Sequence, residues 1–174
     1  MRVHRQCLLF VLLVCTAFAG SDSDIGQPAP RFNAKTLAGE KFTNDSLRGK
    51  VVLLQFWATW CKYCRRDQPL VDALDKEFAP QGLVTLAIDV GEDKGTVKKY
   101  LQQNPRTVRI VLTGDTNLAA MFNSRSFPIY VVVDRDGKVA AEQHGAGGEL
   151  ALRHLLRKAG LDSKDDGSSS DSAN

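Results

Sequence analysis

Between residues 25 and 161, short runs of consecutive apolar residues alternate with stretches in which apolar residues recur every three or four positions. Consecutive apolar and β-branched residues are typical of strands covered on both faces, whereas the wider spacing predicts helices with one buried side. The predicted strands are 51–57, 83–90, 108–112, 129–133 and 138–143. The predicted helices are a first one with Leu70, Leu74 and Phe78 on one stripe, ended by Gln81-Gly82, and then 94–103, 116–122 and 148–159.

Turn residues separate these segments. Asp136-Gly137 predicts a tight hairpin, and Gly39-Glu40 predicts a turn near the start. Asn44-Asp45-Ser46 offers oxygen atoms that would cap a short helical turn ending at Gly49. The same three residues form a glycosylation sequon, which matters only in a eukaryotic host. Strands and helices that alternate and finish with a hairpin and a helix predict an α/β fold with a mixed sheet.

Residues 1–19 have the pattern of an export signal. Arg2 and Arg5 precede a stretch, 7–18, that is apolar apart from Thr16, and Ala17-Phe18-Ala19 matches a cleavage site. An apolar stretch of this length is too short to span a bilayer, so we expect no membrane anchor. Lipid attachment at Cys15 is the alternative, although Val14 fits a lipoprotein signal poorly.

The remaining chain is predicted to be one domain, 20–161, followed by a disordered acidic and Ser-rich tail, 162–174, which has no large apolar side chain. The chain of 174 residues is 43% hydrophobic and 25% charged, which is ordinary globular composition. Its net charge of +3 supplies no strong field for nucleic acid, so no nucleic-acid partner is expected.

The chemistry centres on Cys61 and Cys64, the two cysteines that remain after removal of the signal. They lie where the strand 51–57 gives way to a helix, and unpaired N–H groups at a helix start favour the thiolate form. A zinc site would need two further ligands, and only His144 and His154 remain. A structural disulfide would close almost no loop. We therefore expect a redox-active dithiol with no metal and no cofactor.

The run Phe56-Trp57-Ala58-Thr59-Trp60-Cys61-Lys62-Tyr63-Cys64-Arg65 resembles the active-site signature of the thioredoxin superfamily, and more narrowly that of the TlpA-like and ResA-like exported thiol-disulfide oxidoreductases. Leu47-Arg48-Gly49-Lys50-Val51-Val52 resembles the lead-in of that branch, and Pro69 the proline of its first helix. Phe127-Pro128 is similar to the cis-proline of the family. The resemblance implies a thioredoxin fold with an N-terminal extension of the TlpA-like kind.

The resemblance also implies roles for individual residues. Cys61 would be the exposed attacking thiolate and Cys64 the resolving thiol. Asp67 matches an acidic residue of ResA-like proteins; it either takes the proton of Cys64 or is a solvated acid favoured by the helix dipole. Gln55 stands where thioredoxin has a buried Asp. Substrate binding would involve Trp60, Lys62, Tyr63, Phe127 and Pro128.

The expected function is disulfide exchange with exported proteins, as a reductant, for example of apocytochrome c. Partners would be substrate proteins with disulfides and a membrane thiol-disulfide electron donor, and the location would be the periplasm. A lipid-anchored form or the lumen of a secretory pathway is the alternative location. Alternative functions are a disulfide oxidant or isomerase, a peroxiredoxin-like thiol peroxidase, and a non-enzymatic module that binds a partner beside Pro128.

Overall fold

The computed structural model describes residues 25–122 and 126–162, which form one mixed sheet flanked by helices. The predicted signal 1–19 and nearly all of the predicted tail lie outside the described residues. The strands are β1 (Asn33–Thr36), β2 (Lys41–Thr43), β3 (Val51–Trp57), β4 (Leu83–Asp89), β5 (Arg109–Thr116), β6 (Ile129–Val133) and β7 (Val139–His144). The helices are α1 (Lys62–Phe78), α2 (Lys94–Gln103), α3 (Leu118–Met121) and α4 (Gly148–Lys158), with a 3-10 turn at Ala79–Gln81.

The sheet order is β2-β1-β5-β4-β3-β6-β7, so β3 lies centrally between a parallel and an antiparallel neighbour. Every residue of β3 is buried, as the continuous apolar run predicts. Successive side chains point to opposite faces of a strand. One core therefore collects Leu53 and Trp57 with the apolar residues of α1, α2 and α4, and the other collects Leu54 and Phe56 with those of α3.

Two predicted elements have different bounds in the structure. The strand predicted at 108–112 continues to Thr116, and the helix predicted at 116–122 is the single turn α3. The reason is long-range pairing: Thr116 pairs with Ala34 of β1, which draws residues 113–116 into the sheet. A prediction from local sequence pattern does not include pairing with a strand as distant as β1.

The capping role predicted for Asn44 is wrong, whereas the predicted turn is present. Residues 44–49 form a turn that ends at Gly49, whose φ is 77°. The Asn44 amide instead accepts a hydrogen bond from the N–H of Phe32 at 2.8 Å and donates to the carbonyl of Pro30 at 3.0 Å. Asn44 therefore holds the N-terminal segment against the domain. Among the described residues, no helix has the length and apolar character that crossing a membrane would need.

Candidate active site

The two cysteines lie at the start of α1, directly beyond the end of β3. Cys61 is the N-cap residue of α1, and its Sγ is bonded to that of Cys64 at 2.07 Å. The backbone N–H of Cys64 lies 3.1 Å from the Cys61 Sγ and donates a hydrogen bond to it. A side chain in this position receives the orphan N–H groups of the first helical turn, so a thiolate on Cys61 would be stabilised in the reduced protein.

The sulfur atoms are less accessible than the sequence predicts. Cys61, expected to be exposed, is only 5% exposed, and Cys64 is fully buried. Trp60 is 66% exposed, and its ring meets the Phe127 ring edge-on at 5.9 Å. An aromatic cover therefore lies beside the dithiol, and Cys61 is the more accessible of its two sulfurs.

The other predicted substrate-binding residues are neighbours of Trp60 and Phe127 in the sequence. Lys62 and Tyr63 are exposed in the first turn of α1, and the Arg66 guanidinium lies 5.5 Å from the centre of the Tyr63 ring. Pro128 is buried, and the Phe127–Pro128 peptide bond is cis, as the resemblance implies. The face around Cys61 thus combines exposed aromatic rings with basic side chains.

Asp67 is buried beneath α1, with only 2% of its surface exposed. The interpretation of Asp67 as a solvated acid is therefore wrong: the side chain lies on the buried side of the helix, one turn after Cys64. The Tyr130 hydroxyl donates a hydrogen bond of 3.1 Å to Oδ2 of Asp67. On the outer side, Nε of Arg66 lies 3.4 Å from Oδ1.

Tyr130 connects Asp67 to a second ion pair. The Gln55 amide donates a hydrogen bond of 3.5 Å to the Tyr130 hydroxyl and accepts one of 3.2 Å from Nη2 of Arg106. The Arg106 side chain is 2% exposed, and its Nε lies 3.0 and 2.9 Å from the two carboxylate oxygens of Asp72. A continuous polar chain thus runs under α1 between two carboxylates.

On the β4 side, another carboxylate fixes the loop that precedes Cys61. Glu92 accepts hydrogen bonds from the backbone N–H of Thr59 at 2.5 Å and from its hydroxyl at 2.6 Å. Asp89 lies behind Glu92, fully buried, and neither of its oxygens has a hydrogen-bond partner of good geometry among the described residues. Burial, reinforced by the adjacent Glu92 carboxylate, raises the pKa of Asp89 to about 8.

Sequence reasoning missed Tyr130, Arg106, Thr59, Glu92 and Asp89 as members of the site. One signal was available for Glu92, because the carboxyl ends of the parallel strands β3 and β4 meet at one edge and Glu92 follows the second of them. Tyr130 gave no such signal, since its place opposite Gln55 depends on the register of β3 and β6. His144 and His154 are both exposed, and Nε2 of His144 lies 2.8 Å from Oε1 of Glu142.

Comparison with known proteins agrees with this geometry. The sequence profile of the AhpC/TSA family matches residues 25–142. A thiol-disulfide oxidoreductase ResA of Geobacillus kaustophilus is 34% identical over 145 residues, covering 79% of this chain and 83% of that protein. A ResA of Bacillus cereus is 28% identical over 161 residues, covering 87% of this chain and 93% of that protein. The crystal structure of a thiol:disulfide interchange protein from Chlorobium tepidum TLS superposes with a TM-score of 0.67 at 28% identity, covering 76% of this chain and 94% of that one.

Proposed function

Because the chain belongs to the AhpC/TSA family of the thioredoxin superfamily and is a thiol-disulfide oxidoreductase, we propose that it works as a reductant of disulfides in exported proteins. The observation that carries the proposal is the Cys61–Cys64 pair, closed across the first turn of α1 with the Cys61 sulfur as the helix cap. The direction of electron flow is the proposed part, and it follows from the resemblance of the run 56–65 to the ResA-like exported oxidoreductases. Apocytochrome c is one substrate that fits this assignment.

The reaction runs from the reduced dithiol. The Cys61 thiolate attacks one sulfur of the substrate disulfide, forming a mixed disulfide and releasing the other substrate sulfur as a thiolate. Cys64 then loses its proton, and its thiolate attacks the Sγ of Cys61. The second substrate sulfur leaves as a thiolate, so two electrons pass to the substrate while Cys61 and Cys64 become a disulfide.

Asp67 is proposed as the acceptor of the Cys64 proton. It lies three residues after Cys64, on the same buried side of α1, where bulk water is excluded and a local base is needed. The substrate segment would lie against Trp60, Lys62, Tyr63, Phe127 and Pro128, because these residues border the more accessible sulfur.

The proposal extends to location and supply of electrons. Removal of residues 1–19 would deliver the domain 20–161 and the tail 162–174 to the periplasm, with lipid attachment at Cys15 as the alternative. An oxidised dithiol in an oxidising compartment must be reduced again before each cycle. A membrane thiol-disulfide electron donor would perform this step.

A reporter peptide with one disulfide tests the function. We expect steady reduction by the wild-type domain with a thiol donor, none by Cys61→Ser, and a trapped mixed disulfide with Cys64→Ser. Equal turnover by all three proteins would refute the proposal. Peroxide consumption is measured in parallel to test the peroxidase alternative. That alternative is weakened by Thr59, which stands two residues before Cys61 and whose hydroxyl is bound by Glu92.

A further inference from the structure

We propose that Tyr130 is a positioning residue for the resolving step: its hydroxyl, backed by Gln55 and Arg106, holds the Asp67 carboxylate in place to take the proton of Cys64. This inference rests on the proposed role of Asp67. The geometric basis is the hydrogen bond of 3.1 Å from the Tyr130 hydroxyl to Oδ2 of Asp67, in a region where both side chains are buried.

The hydrogen bonds that link Arg106 to Asp67 are all donated in the same direction, towards Asp67. Arg106 donates to Gln55, Gln55 donates to the Tyr130 hydroxyl, and Tyr130 donates to Asp67. Hydrogen bonds in series polarise one another when water is excluded, so a cation at the far end strengthens the last donor. Burial and the neighbouring Asp67 charge also raise the pKa of the Tyr130 hydroxyl above its usual range, which keeps it protonated as a donor.

The sheet fixes the positions of Gln55 and Tyr130, the two middle members of this series of hydrogen bonds. Gln55 and Tyr130 are direct partners in the β3–β6 ladder, and both face the layer that contains α1. At the far end, Arg106 is anchored by both oxygens of Asp72. Because two strands and a buried ion pair hold the donors, the carboxylate of Asp67 has one fixed partner while the cysteines change state.

Arg66 is the second side chain that contacts the Asp67 carboxylate, and it is held less firmly than Tyr130. Its side chain is 60% exposed, and its contact with Oδ1 is longer, at 3.4 Å. An exposed pair of this kind contributes little and is easily exchanged with water. The fixed orientation of Asp67 therefore depends on Tyr130.

The test separates the two thiol steps with the chromogenic disulfide dithiobis(nitrobenzoate). The reduced domain releases one thionitrobenzoate when Cys61 attacks and a second when Cys64 displaces it, so the second phase reports the Cys64 step. At pH 7, we expect Asp67→Asn to slow this phase about tenfold or more. We expect Tyr130→Phe to slow it about three- to tenfold, and to add little in the Asp67→Asn background.

The pH profile distinguishes positioning from a loss of packing. As the pH rises, hydroxide can take the proton of the Cys64 thiol in place of a local base, so the deficit of Tyr130→Phe should shrink towards alkaline pH. Tyr100→Phe is the matched control: it removes a hydroxyl that donates to Gln68 at 2.7 Å in the same layer, without touching Asp67. The control should keep the wild-type pH profile.

Each outcome decides one claim. If Asp67→Asn leaves the second phase unchanged, the proposed role of Asp67 fails and the inference fails with it. If Asp67→Asn slows that phase but Tyr130→Phe does not, the inference alone is overturned. The same holds if Tyr130→Phe slows the phase by the same factor in the wild-type and the Asp67→Asn backgrounds. If Tyr130→Phe does not fold, Gln55→Met is the second variant, because it removes the hydrogen bond that Gln55 donates to the Tyr130 hydroxyl. It should slow the second phase with the same dependence on pH. A wild-type profile for Gln55→Met would then overturn the inference.

Discussion

Glu92 accepts two hydrogen bonds from Thr59, one from the backbone N–H and one from the hydroxyl, and so ties the end of β4 to the loop that leads into Cys61. The loop between β3 and α1 has to present the Cys61 sulfur at a defined place, and this carboxylate joins that loop to the segment that follows β4. The dithiol is therefore supported from two sides, by Glu92 in front of α1 and by Tyr130 beneath it.

Thr59→Val tests the contribution of the hydroxyl. It removes the 2.6 Å hydrogen bond to a charged acceptor, and we expect a loss of about 1–3 kcal/mol in the free energy of unfolding, because such bonds are stronger than neutral ones. Urea denaturation measures the change, and Thr59→Ser is the matched control because it keeps the hydroxyl. If Val and Ser destabilise the protein equally, the hydrogen bond is not the stabilising feature.

Asp89 predicts a pH dependence of stability. Its pKa is raised from 3.8 to about 8 by burial and by Glu92, so between these values the folded protein holds a proton that the unfolded chain has lost. The contribution of Asp89 to stability therefore falls as the pH rises from about 4 to about 8, and it levels off above that range. Asp89→Asn, which cannot ionise, should lose this part of the slope.

The measurement is urea unfolding of both proteins at pH 5, 6, 7 and 8, at constant ionic strength. The stability of Asp89→Asn relative to the wild type should grow steadily across the series, because only the wild type takes up a proton at this position when it folds. A difference between the two proteins that stays constant from pH 5 to 8 would contradict the raised pKa of Asp89.

Asp72 and Arg106 form an ion pair whose side chains are 17% and 2% exposed, and Asp72→Asn should be strongly destabilising. Removing one partner leaves a buried guanidinium without its counter-charge, and we expect a loss of about 2–4 kcal/mol by urea denaturation. Asp45→Asn is the matched control, because Asp45 and Arg48 are 77% and 81% exposed. Its effect should stay within about 0.5 kcal/mol. Equal effects would show that burial does not distinguish the two pairs.

Trp60→Ala tests the substrate face. Trp60 is 66% exposed and contacts Phe127, so its removal should leave stability nearly unchanged but raise the KM for a disulfide peptide about three- to tenfold. Leu150→Ala removes a still more exposed apolar side chain, 85% accessible on α4, and serves as the control. A KM unchanged by Trp60→Ala would remove this residue from the binding surface.

The sequence predicted the elements that are defined by local pattern. The continuous apolar run 51–57, the helix 94–103 and the hairpin at Asp136-Gly137 need only their own residues, and the structure confirms them. The extension of β5 to Thr116 and the role of Asn44 required partners from distant parts of the chain, so local pattern misjudged both.

The same distinction between local motifs and long-range contacts applies to the residues of the site. Cys61 and Cys64 were found in one short motif, and the cis-proline was found from the resemblance of Phe127-Pro128 to that of the family. The burial of Asp67 and its contact with Tyr130 were not predictable, because residues 63 positions apart meet only through the register of β3 and β6 and the packing of α1. The sequence alone left Asp67 open between a proton acceptor and a solvated acid, and the packing of α1 decides that the side chain is buried.

The reduction potential of the Cys61–Cys64 disulfide distinguishes a reductant from an oxidant. The protein without the predicted signal 1–19 is equilibrated with dithiothreitol or glutathione buffers, and the reduced fraction is measured. The reductant account predicts a potential near the thioredoxin value of about −270 mV. A potential near about −120 mV, as in a strong oxidant of the DsbA kind, would contradict it and reverse the direction of electron flow.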